Sequence, residues 1–304
     1  MAEMVLITGA SGFIGKRLAG ALAEGGWAVR AAMRDPRAVT LAGVETVVLP
    51  DLSRPVDWGP LLEGVTHVVH LAGLAHSPGV LADAVYDRIN ADAAGELARA
   101  ASGIERFVLM SSVRAQAGLS ADHTITEEDD PEPTDAYGRS KLAAERLVAA
   151  SGTRCSILRP VVVYGPGVKG NIANLATLAR TPMPLPFGAL DNRRSLLAID
   201  NLVSAIGLAL VSEHALGETF LVADRDPITV ADLVTAMREG LGRAPHLMKV
   251  PAGTVRRIMA SFGKEADWER ISGSFVVDTA KLRGIGWEPV VPTYAGIKAM
   301  MQDT

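Results

Sequence analysis

A glycine-rich turn near the start of the chain constrains the fold more than any other feature. The turn reads Thr8-Gly9-Ala10-Ser11-Gly12-Phe13-Ile14-Gly15, directly after the apolar run Met4–Ile7 and before an amphipathic helical pattern. Gly9 permits a sharp turn, Gly12 lets a pyrophosphate approach main-chain amides, and Gly15 lets the helix pack tightly on the strand. The unpaired N–H groups at a helix N-terminus also favour phosphate. The segment therefore predicts a dinucleotide-binding strand, turn and helix.

Short β patterns alternate with helical patterns through the first half of the chain. Further apolar runs rich in Val, Ile or Leu predict the strands Ala28–Met33, Thr46–Leu49, His67–Ala72, Arg106–Met110 and Cys155–Leu158. The helical patterns are Phe13–Glu24, Asp83–Ser102 and Ala136–Ala150. Near-continuous apolar strands between helices are typical of a parallel sheet covered on both faces. The expected fold is α/β, with a Rossmann-type doubly wound parallel sheet.

The composition of the sequence changes beyond Gly165, because residues 166–188 are rich in proline and glycine. Within that stretch Thr181–Pro186 has a proline at every second position, which excludes a regular helix or strand. We expect a dinucleotide-binding domain over residues 1–165 and a smaller C-terminal substrate lobe over residues 166–304. Residues from about 190 to 225 are expected to return to the first domain. The cleft between the two parts is the expected ligand site.

Composition limits the partners and the compartment. The 304-residue chain has a formal net charge of −4 with interspersed signs, which does not suit nucleic acid. A single cysteine, Cys155, excludes an internal disulfide and fits a reducing compartment. The longest apolar run, Leu202–Val211, is too short to span a bilayer, and no basic amphipathic helix of useful size is evident. The six histidines lack metal-ligand spacing. We expect a cytoplasmic protein without metal, nucleic-acid or membrane partners.

The second chemical pattern pairs a tyrosine with a lysine four residues later. Tyr137 and Lys141 share one face of a predicted helix, where the ammonium would favour the phenolate and lower the pKa of the tyrosine. Such a phenol can serve as an acid or a base. Ser111 and Ser112 follow the strand Arg106–Met110, at the end of a parallel strand where ligands bind. For the pair alone, an exposed helix face with a stacked tyrosine is the alternative.

Together these motifs resemble the extended short-chain dehydrogenase/reductases, of the NAD-dependent epimerase/dehydratase type that acts on nucleotide sugars. The resemblance covers nearly the whole chain and is closest to UDP-4-keto-6-deoxy-N-acetylhexosamine reductases and related UDP-sugar 4-epimerases. Further matching segments are Asp51-Leu52, His70–Gly73, Asn90, Leu158–Pro160, Tyr164–Gly167, Gly170-Asn171, Asn192–Leu196, Asp200-Asn201, Asp278–Leu282 and Gly286-Trp287.

The resemblance implies roles for individual residues. Ser112, Tyr137 and Lys141 would be catalytic. The implied substrate ligands are Ser112, Asn171, Arg194 and Arg270, with a solvated turn as the alternative for Arg194. The implied cofactor ligands are Gly9, Ser11, Gly12, Phe13, Ile14, Gly15, Arg34, Asp51, Leu52, Leu71, Ala72, Gly73, Asn90, Tyr137, Lys141, Pro160 and Val163. A nucleotide sugar is the expected partner, and a homodimer stays open.

Two departures from the family pattern bear on the reaction. Val113-Arg114 follow Ser112, where the family's dehydratases carry acidic residues, so the chain lacks the groups that eliminate water. The second predicted strand ends at Met33-Arg34, where an acid would bind the adenosine ribose of NAD. A guanidinium suits a 2′-phosphate, which favours NADP(H) over NAD(H). The alternative is that Arg34 stacks on adenine or lies in solvent.

These departures favour a reductase that takes up NADPH and reduces C4 of a UDP-4-keto-6-deoxy-hexosamine. A 4-epimerase acting on UDP-glucose or UDP-N-acetylglucosamine is the alternative, because the family's epimerases typically hold NAD through the strand-end acid. A regulator that binds a dinucleotide without catalysis is a further alternative. The complete set of Ser112, Tyr137 and Lys141 argues against it, because a sensor needs only the glycine turn.

Overall fold

A computed structural model describes residues 3–38, 42–75, 81–261, 263, 268 and 271–302 of the chain. The strands among these residues are β1 (Met4–Thr8), β2 (Ala28–Met33), β3 (Val44–Val48), β4 (His67–His70), β5 (Arg106–Met110), β6 (Thr124–Ile125), β7 (Cys155–Pro160), β8 (Val162–Tyr164), β9 (Arg193–Arg194), β10 (Leu196–Ala198), β11 (Thr219–Val222), β12 (Ile228–Thr229) and β13 (Val276–Val277).

The described α-helices are α1 (Phe13–Glu24), α2 (Gly59–Leu62), α3 (Asp83–Tyr86), α4 (Ala93–Ala100), α5 (Ala136–Ala149), α6 (Asn171–Ala179), α7 (Ile199–Val211), α8 (Val230–Gly240) and α9 (Ala252–Ser261), with two more at Ala280–Gly284 and Thr293–Gln302. A π-helical stretch, Asp87–Asp92, joins α3 to α4. A 3₁₀ turn, Val113–Ala115, follows β5. Within the described part of the chain, no helix has the length and apolarity needed to cross a membrane.

The central sheet has seven parallel strands in the order β3-β2-β1-β4-β5-β7-β11. From β1 the chain proceeds outward through β2 to β3, and it then crosses back to place β4 on the other side of β1. This reversal creates a crevice at the carboxyl ends of β1 and β4, which is where open α/β sheets bind ligands. The arrangement confirms the predicted Rossmann-type doubly wound sheet.

Helices cover both faces of the sheet, as the strand patterns require. Successive residues of a strand point to opposite faces. Val5 and Ile7 of β1 accordingly belong to one buried cluster, together with residues of α1 and α7. Leu6, between them, belongs to a second cluster with residues of α4 and α5. All three side chains are fully buried. Both faces of β1 therefore lie in the core, which explains its unbroken apolar sequence.

The C-terminal part contains its own buried clusters. Residues of α6, α8 and the helix Thr293–Gln302 form one, and Leu185 and Phe187 pack with α8 and Trp268 in another. In contrast, β11 is a strand of the main sheet, where it pairs with β7. Helix α7 packs on that sheet beside α1. The chain therefore leaves the main sheet after β7 and returns to it at β11, before α8.

The predicted elements differ from the structure most in three places, besides small shifts at the ends of β4, β7 and α5. The strand predicted at Thr46–Leu49 runs over Val44–Val48. The single helix predicted over Asp83–Ser102 is divided by the π-helical stretch, since an extra residue per turn there changes which side chains face inward. A regular helix, α6, lies within the proline-rich region, whereas Thr181–Pro186 contains only an isolated bridge at Leu185.

Candidate active site

The glycine turn lies at the switch point of the sheet, against the loop that follows β4. Gly9 has a φ of 72°, and a Cβ there would lie 2.9 Å from the backbone nitrogen of Ala72. A Cβ on Gly15 would lie 2.6 Å from Cα of Ala10. Gly12 precedes α1 and has no side chain to cap its first-turn N–H groups, which stay open to a phosphate. The turn therefore fits a dinucleotide pyrophosphate.

Thr8 and His70 fix the loop opposite the glycine turn. Thr8 Oγ1 accepts a hydrogen bond from the Ala72 N–H at 3.2 Å and lies 2.8 Å from His70 Nδ1. The imidazole tautomer decides which group donates in this second contact, and His70 Nε2 is buried without a hydrogen-bond partner among the described residues. His70 is buried, and burial, helped by the charge of Lys141, lowers its pKa to about 3. A neutral imidazole therefore supports the predicted cofactor loop, Leu71–Gly73.

Asn90, in the π-helical stretch, holds the same loop from the other side. Its Oδ1 accepts from the Leu74 N–H at 2.7 Å, and its Nδ2 donates to the Leu74 carbonyl at 3.0 Å and to Ser140 Oγ at 2.9 Å. A Cβ on Gly73 would lie 2.7 Å from this Oδ1. Asn90 thus holds the predicted cofactor loop against α5.

The remaining predicted cofactor residues follow the same edge of the sheet. The glycine turn follows β1, Arg34 follows β2, Asp51 and Leu52 follow β3, and Pro160 ends β7. Arg34 is exposed, and so is Asp51, which accepts from the Ser53 N–H at 3.0 Å. That bond lowers the pKa of the Asp51 carboxyl. Val163 lies in β8, half-buried, beside the loop that leads into the C-terminal lobe.

The structure brings Ser112, Tyr137 and Lys141 together. Ser112 Oγ accepts from the Arg114 N–H at 3.1 Å, and the Ser112 hydroxyl is near enough to Tyr137 to act on the pKa of that phenol. Asp135 caps α5 by accepting from the Gly138 N–H at 2.7 Å, which places Tyr137 in the first helical turn. Lys141 Nζ donates to the Met110 carbonyl at 2.9 Å. The serine, phenol and ammonium therefore converge at the end of β5.

The electrostatics of the pair differ from the sequence expectation. Burial raises the pKa of Tyr137, while the nearby Ser112 hydroxyl and the charge of Arg114 act to lower it. The predicted net lowering of the Tyr137 pKa is therefore wrong, and Nζ of Lys141, which donates to the Met110 carbonyl, lies 6.0 Å from the ring centroid. Burial lowers the pKa of Lys141 itself to about 8, and Glu145 acts in the opposite direction.

Arg114, which follows Ser112 where the family's dehydratases carry acids, holds the turn after β5 against α5. Its guanidinium donates to Asp135 Oδ2 at 2.7 Å and to Thr134 Oγ1 at 3.2 Å. A Cβ on Gly138 would overlap the Arg114 carbonyl oxygen. The turn after Ser112 is therefore locked onto the first turn of α5. The available signal was its position two residues beyond the strand-end serine.

A buried ionic network behind the site was also missed. Glu145 accepts from Arg159 Nε at 2.9 Å and Nη2 at 2.5 Å, and from the Ser111 hydroxyl. Arg159 further donates to Gln116. All four side chains are buried, and they join α5, β7 and the end of β5. The available signal was an acid four residues after Lys141, on the same helix face.

The predicted substrate residues are only partly brought to this site. Arg194 donates to the Gly273 carbonyl at 2.6 Å and to the Leu119 carbonyl at 3.1 Å, and burial lowers its pKa to about 10. Leu119 lies shortly after the turn that carries Ser112, so Arg194 reaches the active-site region. Asn171 is exposed at the start of α6. Arg270 lies outside the described residues.

The chain is similar to a known protein family and to several characterised enzymes. The family described as "NAD dependent epimerase/dehydratase family" matches residues 5–223. A UDP-glucose 4-epimerase of Vibrio cholerae is 32% identical over 99% of this chain and 95% of its own length. A GDP-6-deoxy-D-mannose reductase of Pseudomonas aeruginosa is 28% identical over 100% and 97%. The solved structure of MoeE5 with UDP-glucuronic acid and NAD has a TM-score of 0.76 at 26% identity, covering 98% and 97%.

Proposed function

The chain belongs to the NAD-dependent epimerase/dehydratase family, and from this premise we propose that it uses NADPH to reduce C4 of a UDP-4-keto-6-deoxy-hexosamine. The observation that carries this proposal is the side chain at the end of β2. Arg34 is exposed there, in the position where an acid would bind the ribose of NAD. A guanidinium beside that ribose favours the 2′-phosphate of NADPH. NADPH suits a reductase, which takes up the reduced cofactor and releases it in oxidised form.

The described residues fit a nicotinamide dinucleotide. Gly9, Gly12 and Gly15 leave the space and the amide donors for a pyrophosphate. Lys141, charged below a pKa of about 8, would hold the nicotinamide ribose. When bound, the nicotinamide would supply the hydride that reduces a carbonyl.

Tyr137 and Ser112 would handle the proton at the C4 oxygen of the sugar. Because burial raises the pKa of Tyr137, the phenol is protonated at neutral pH and suits the donation of a proton to a developing alkoxide. Ser112, which lies near Tyr137 at the end of β5, would polarise the same oxygen. Arg194 would bind the substrate diphosphate from the mouth of the site. Val113-Arg114, in place of acids, support reduction over elimination of water.

A UDP-sugar 4-epimerase is the second candidate. It is favoured by the relative from Vibrio cholerae, a UDP-glucose 4-epimerase that matches almost the whole chain. An epimerase would require Tyr137 to remove a proton first and to return it after the sugar has turned. It would also retain its dinucleotide through the cycle, without net consumption.

One experiment separates the two candidates. Purified protein is mixed with a UDP-4-keto-6-deoxy-N-acetylhexosamine and NADPH, and the absorbance of reduced nicotinamide is followed beside the sugar products. Reduction predicts that absorbance falls in step with the sugar consumed. If the cofactor is never consumed, and UDP-glucose or UDP-N-acetylglucosamine equilibrates with its C4 epimer, the second candidate is correct.

A further inference from the structure

A buried arginine in the C-terminal lobe organises a surface that the proposed chemistry does not use. Arg238 of α8 is 1% exposed. Its guanidinium donates to the backbone carbonyls of Ala179 at 3.3 Å, Thr181 at 3.2 Å, Met183 at 2.6 Å, Pro245 at 2.7 Å and His246 at 3.2 Å. One side chain thus ties the loop after α6 to the loop after α8.

The same two loops are joined by backbone pairing. The Leu185 N–H donates to the His246 carbonyl at 3.0 Å, and the Met248 N–H donates to the Leu185 carbonyl at 2.9 Å. Leu185 is buried, and prolines at positions 182, 184 and 186 restrict the backbone around it. These loops are therefore held in one conformation by contacts on their inner side.

The outer side of the loops presents large apolar side chains to solvent. Met183 is 67% exposed, Met248 is 46% exposed, and Leu178, at the end of α6, is 37% exposed. We call these three residues, together with Arg243 and Lys249, the methionine face. A rigid backbone that displays apolar side chains beside charged ones is typical of an interaction surface.

The two cations of the methionine face, Arg243 and Lys249, belong to a segment of the sequence that lacks acidic residues. Residues 240–263 contain Arg243, Lys249, Arg256 and Arg257 without an Asp or Glu, although the whole chain has a net charge of −4. All four of these cations are exposed. A cavity of about 200 Å³ opens between the loops, and its described lining, which contains no carboxylate, is Thr181, Pro182, Arg238, Arg243, Ala244 and His246. The face is thus complementary to an anionic partner.

We propose that the methionine face docks on a membrane surface that contains anionic phospholipid. Methionine and leucine side chains would enter the boundary between headgroups and acyl chains, where flexible methionines adapt to irregular packing. Arg243 and Lys249 would lie at the level of the lipid phosphates, which attract basic side chains. The docking goes beyond the proposed function and holds for either reaction. It departs from the sequence prediction that the protein has no membrane partner.

Co-sedimentation with vesicles tests the docking. Native protein is incubated with vesicles of phosphatidylcholine alone or with one-third phosphatidylglycerol, and the bound fraction is measured at low and high salt. Two double variants alter the face, Arg243→Gln with Lys249→Gln and Met183→Ser with Met248→Ser. Matched control variants alter exposed residues elsewhere, Arg146→Gln on α5 and Val211→Ser on α7. Thermal unfolding and cofactor binding establish that every variant is folded.

We expect the native protein to partition at least about tenfold more strongly onto anionic than onto neutral vesicles, and less at high salt. Each double variant of the methionine face should partition onto anionic vesicles about tenfold less strongly than the native protein, whereas the control variants should match it. The proposal is overturned if the native protein does not bind anionic vesicles or binds neutral vesicles equally well. It is also overturned if the variants of the methionine face bind as strongly as the native protein. A dimer in solution that dissociates on Met183→Ser would instead assign the face to a second copy.

Discussion

At the scale of single residues, burial sets the chemistry of the candidate acid. Tyr137 and Lys141 lie on one helix face as the sequence predicts, but the ammonium bonds to the Met110 carbonyl and not to the phenol. Burial raises the pKa of Tyr137, and the groups that favour its phenolate are Ser112 and Arg114. The phenol is therefore suited to donating a proton. Its neighbours, and not its spacing from the lysine, decide that role.

Tyr137→Phe should lower kcat by about 10²- to 10⁴-fold, the range expected for loss of a general acid. The dissociation constant for NADPH should change little, because the hydroxyl acts on the substrate oxygen. Tyr294→Phe, which alters a partly exposed tyrosine in the last helix, is the control and should retain activity. Near-native turnover in Tyr137→Phe would remove this residue from the mechanism.

Arg34→Ala tests the cofactor preference. Loss of a charge-assisted contact to a 2′-phosphate should weaken NADPH binding by about 1.5–3 kcal/mol and leave NADH binding almost unchanged. Isothermal titration of both cofactors measures the difference. Arg37→Ala, three residues further on and almost fully exposed, is the matched comparison. Equal losses for the two cofactors, or tighter NADH binding by the native protein, would refute the NADP assignment.

His70 makes the fold sensitive to acid. Its pKa is about 3 in the folded protein against an ordinary value of 6.5, so below pH 6.5 the unfolded chain takes up a proton that the folded chain does not. Stability attributable to this residue is therefore intact above pH 6.5 and lost progressively toward pH 3, by up to about 1.4 kcal/mol per pH unit.

The variant His70→Asn keeps an acceptor for the Thr8 hydroxyl and removes the titration. Urea unfolding between pH 7 and pH 4 should show a shallower loss of stability than in the native protein. His214→Asn, at an exposed position, should leave the native pH dependence unchanged. Identical slopes for native protein and His70→Asn would contradict the assignment.

At the scale of elements, close contact between the turn after β5 and the start of α5 assembles the site. Ser112 belongs to one element and Tyr137 to the other, and the ion pair of Arg114 with Asp135 joins them. The first turn of α5 approaches so closely that only glycine fits at position 138. Behind this contact, Glu145 and Arg159 fix α5 to β7. Element packing therefore sets the distance between the serine and the phenol.

Gly138→Ala should destabilise the fold by about 2 kcal/mol or more, because the added methyl would overlap a backbone carbonyl that cannot move alone. Gly20→Ala, in α1, is the matched control because no atom lies within 4 Å of its added methyl. That change should stabilise the protein by about 0.5–1 kcal/mol through its helix preference. Chemical unfolding measures both, and similar values for the two variants would disprove the close contact.

At the scale of the whole molecule, a buried polar network attaches the C-terminal segment to the main sheet. Asn201 of α7 donates to Asp224 at 2.7 Å and to the Val291 carbonyl at 2.8 Å, and it accepts from the N–H groups of Val290 and Val291. Tyr164 donates to the same Asp224. Asn201, which the resemblance associates with the nucleotide-sugar segment, thus also connects α7 to residues 290 and 291.

Asn201→Ala should lower the free energy of unfolding by about 2–4 kcal/mol, because several buried partners lose their hydrogen bonds together. Amide exchange should rise around residues 290–293, which would report detachment of the C-terminal segment. Asn174→Ala, at an exposed position on α6, is the control. Unchanged exchange in Asn201→Ala would show that other contacts hold this segment.

Local sequence accounts for the elements whose residues interact mainly with one another. The bounds of α1, β2 and β5 match their predictions, since apolar periodicity and flanking glycines specify a helix or a buried strand without distant partners. The π-helical stretch around Asn90 did not follow from periodicity. Its inward amide is explained by Leu74 and Ser140, which are distant in sequence.

The sequence by itself determined the glycine turn between strand and helix, the apolar strands of the parallel sheet and the pairing of Tyr137 with Lys141 on one helix face, because each depends on residue types at short spacings. Only the tertiary structure decided the direction of the Tyr137 pKa, the joining of Arg114 to Asp135, and the support of the cofactor loop by Thr8, His70 and Asn90. Burial and hydrogen bonding between distant residues arise only when the chain packs, and no local spacing encodes them.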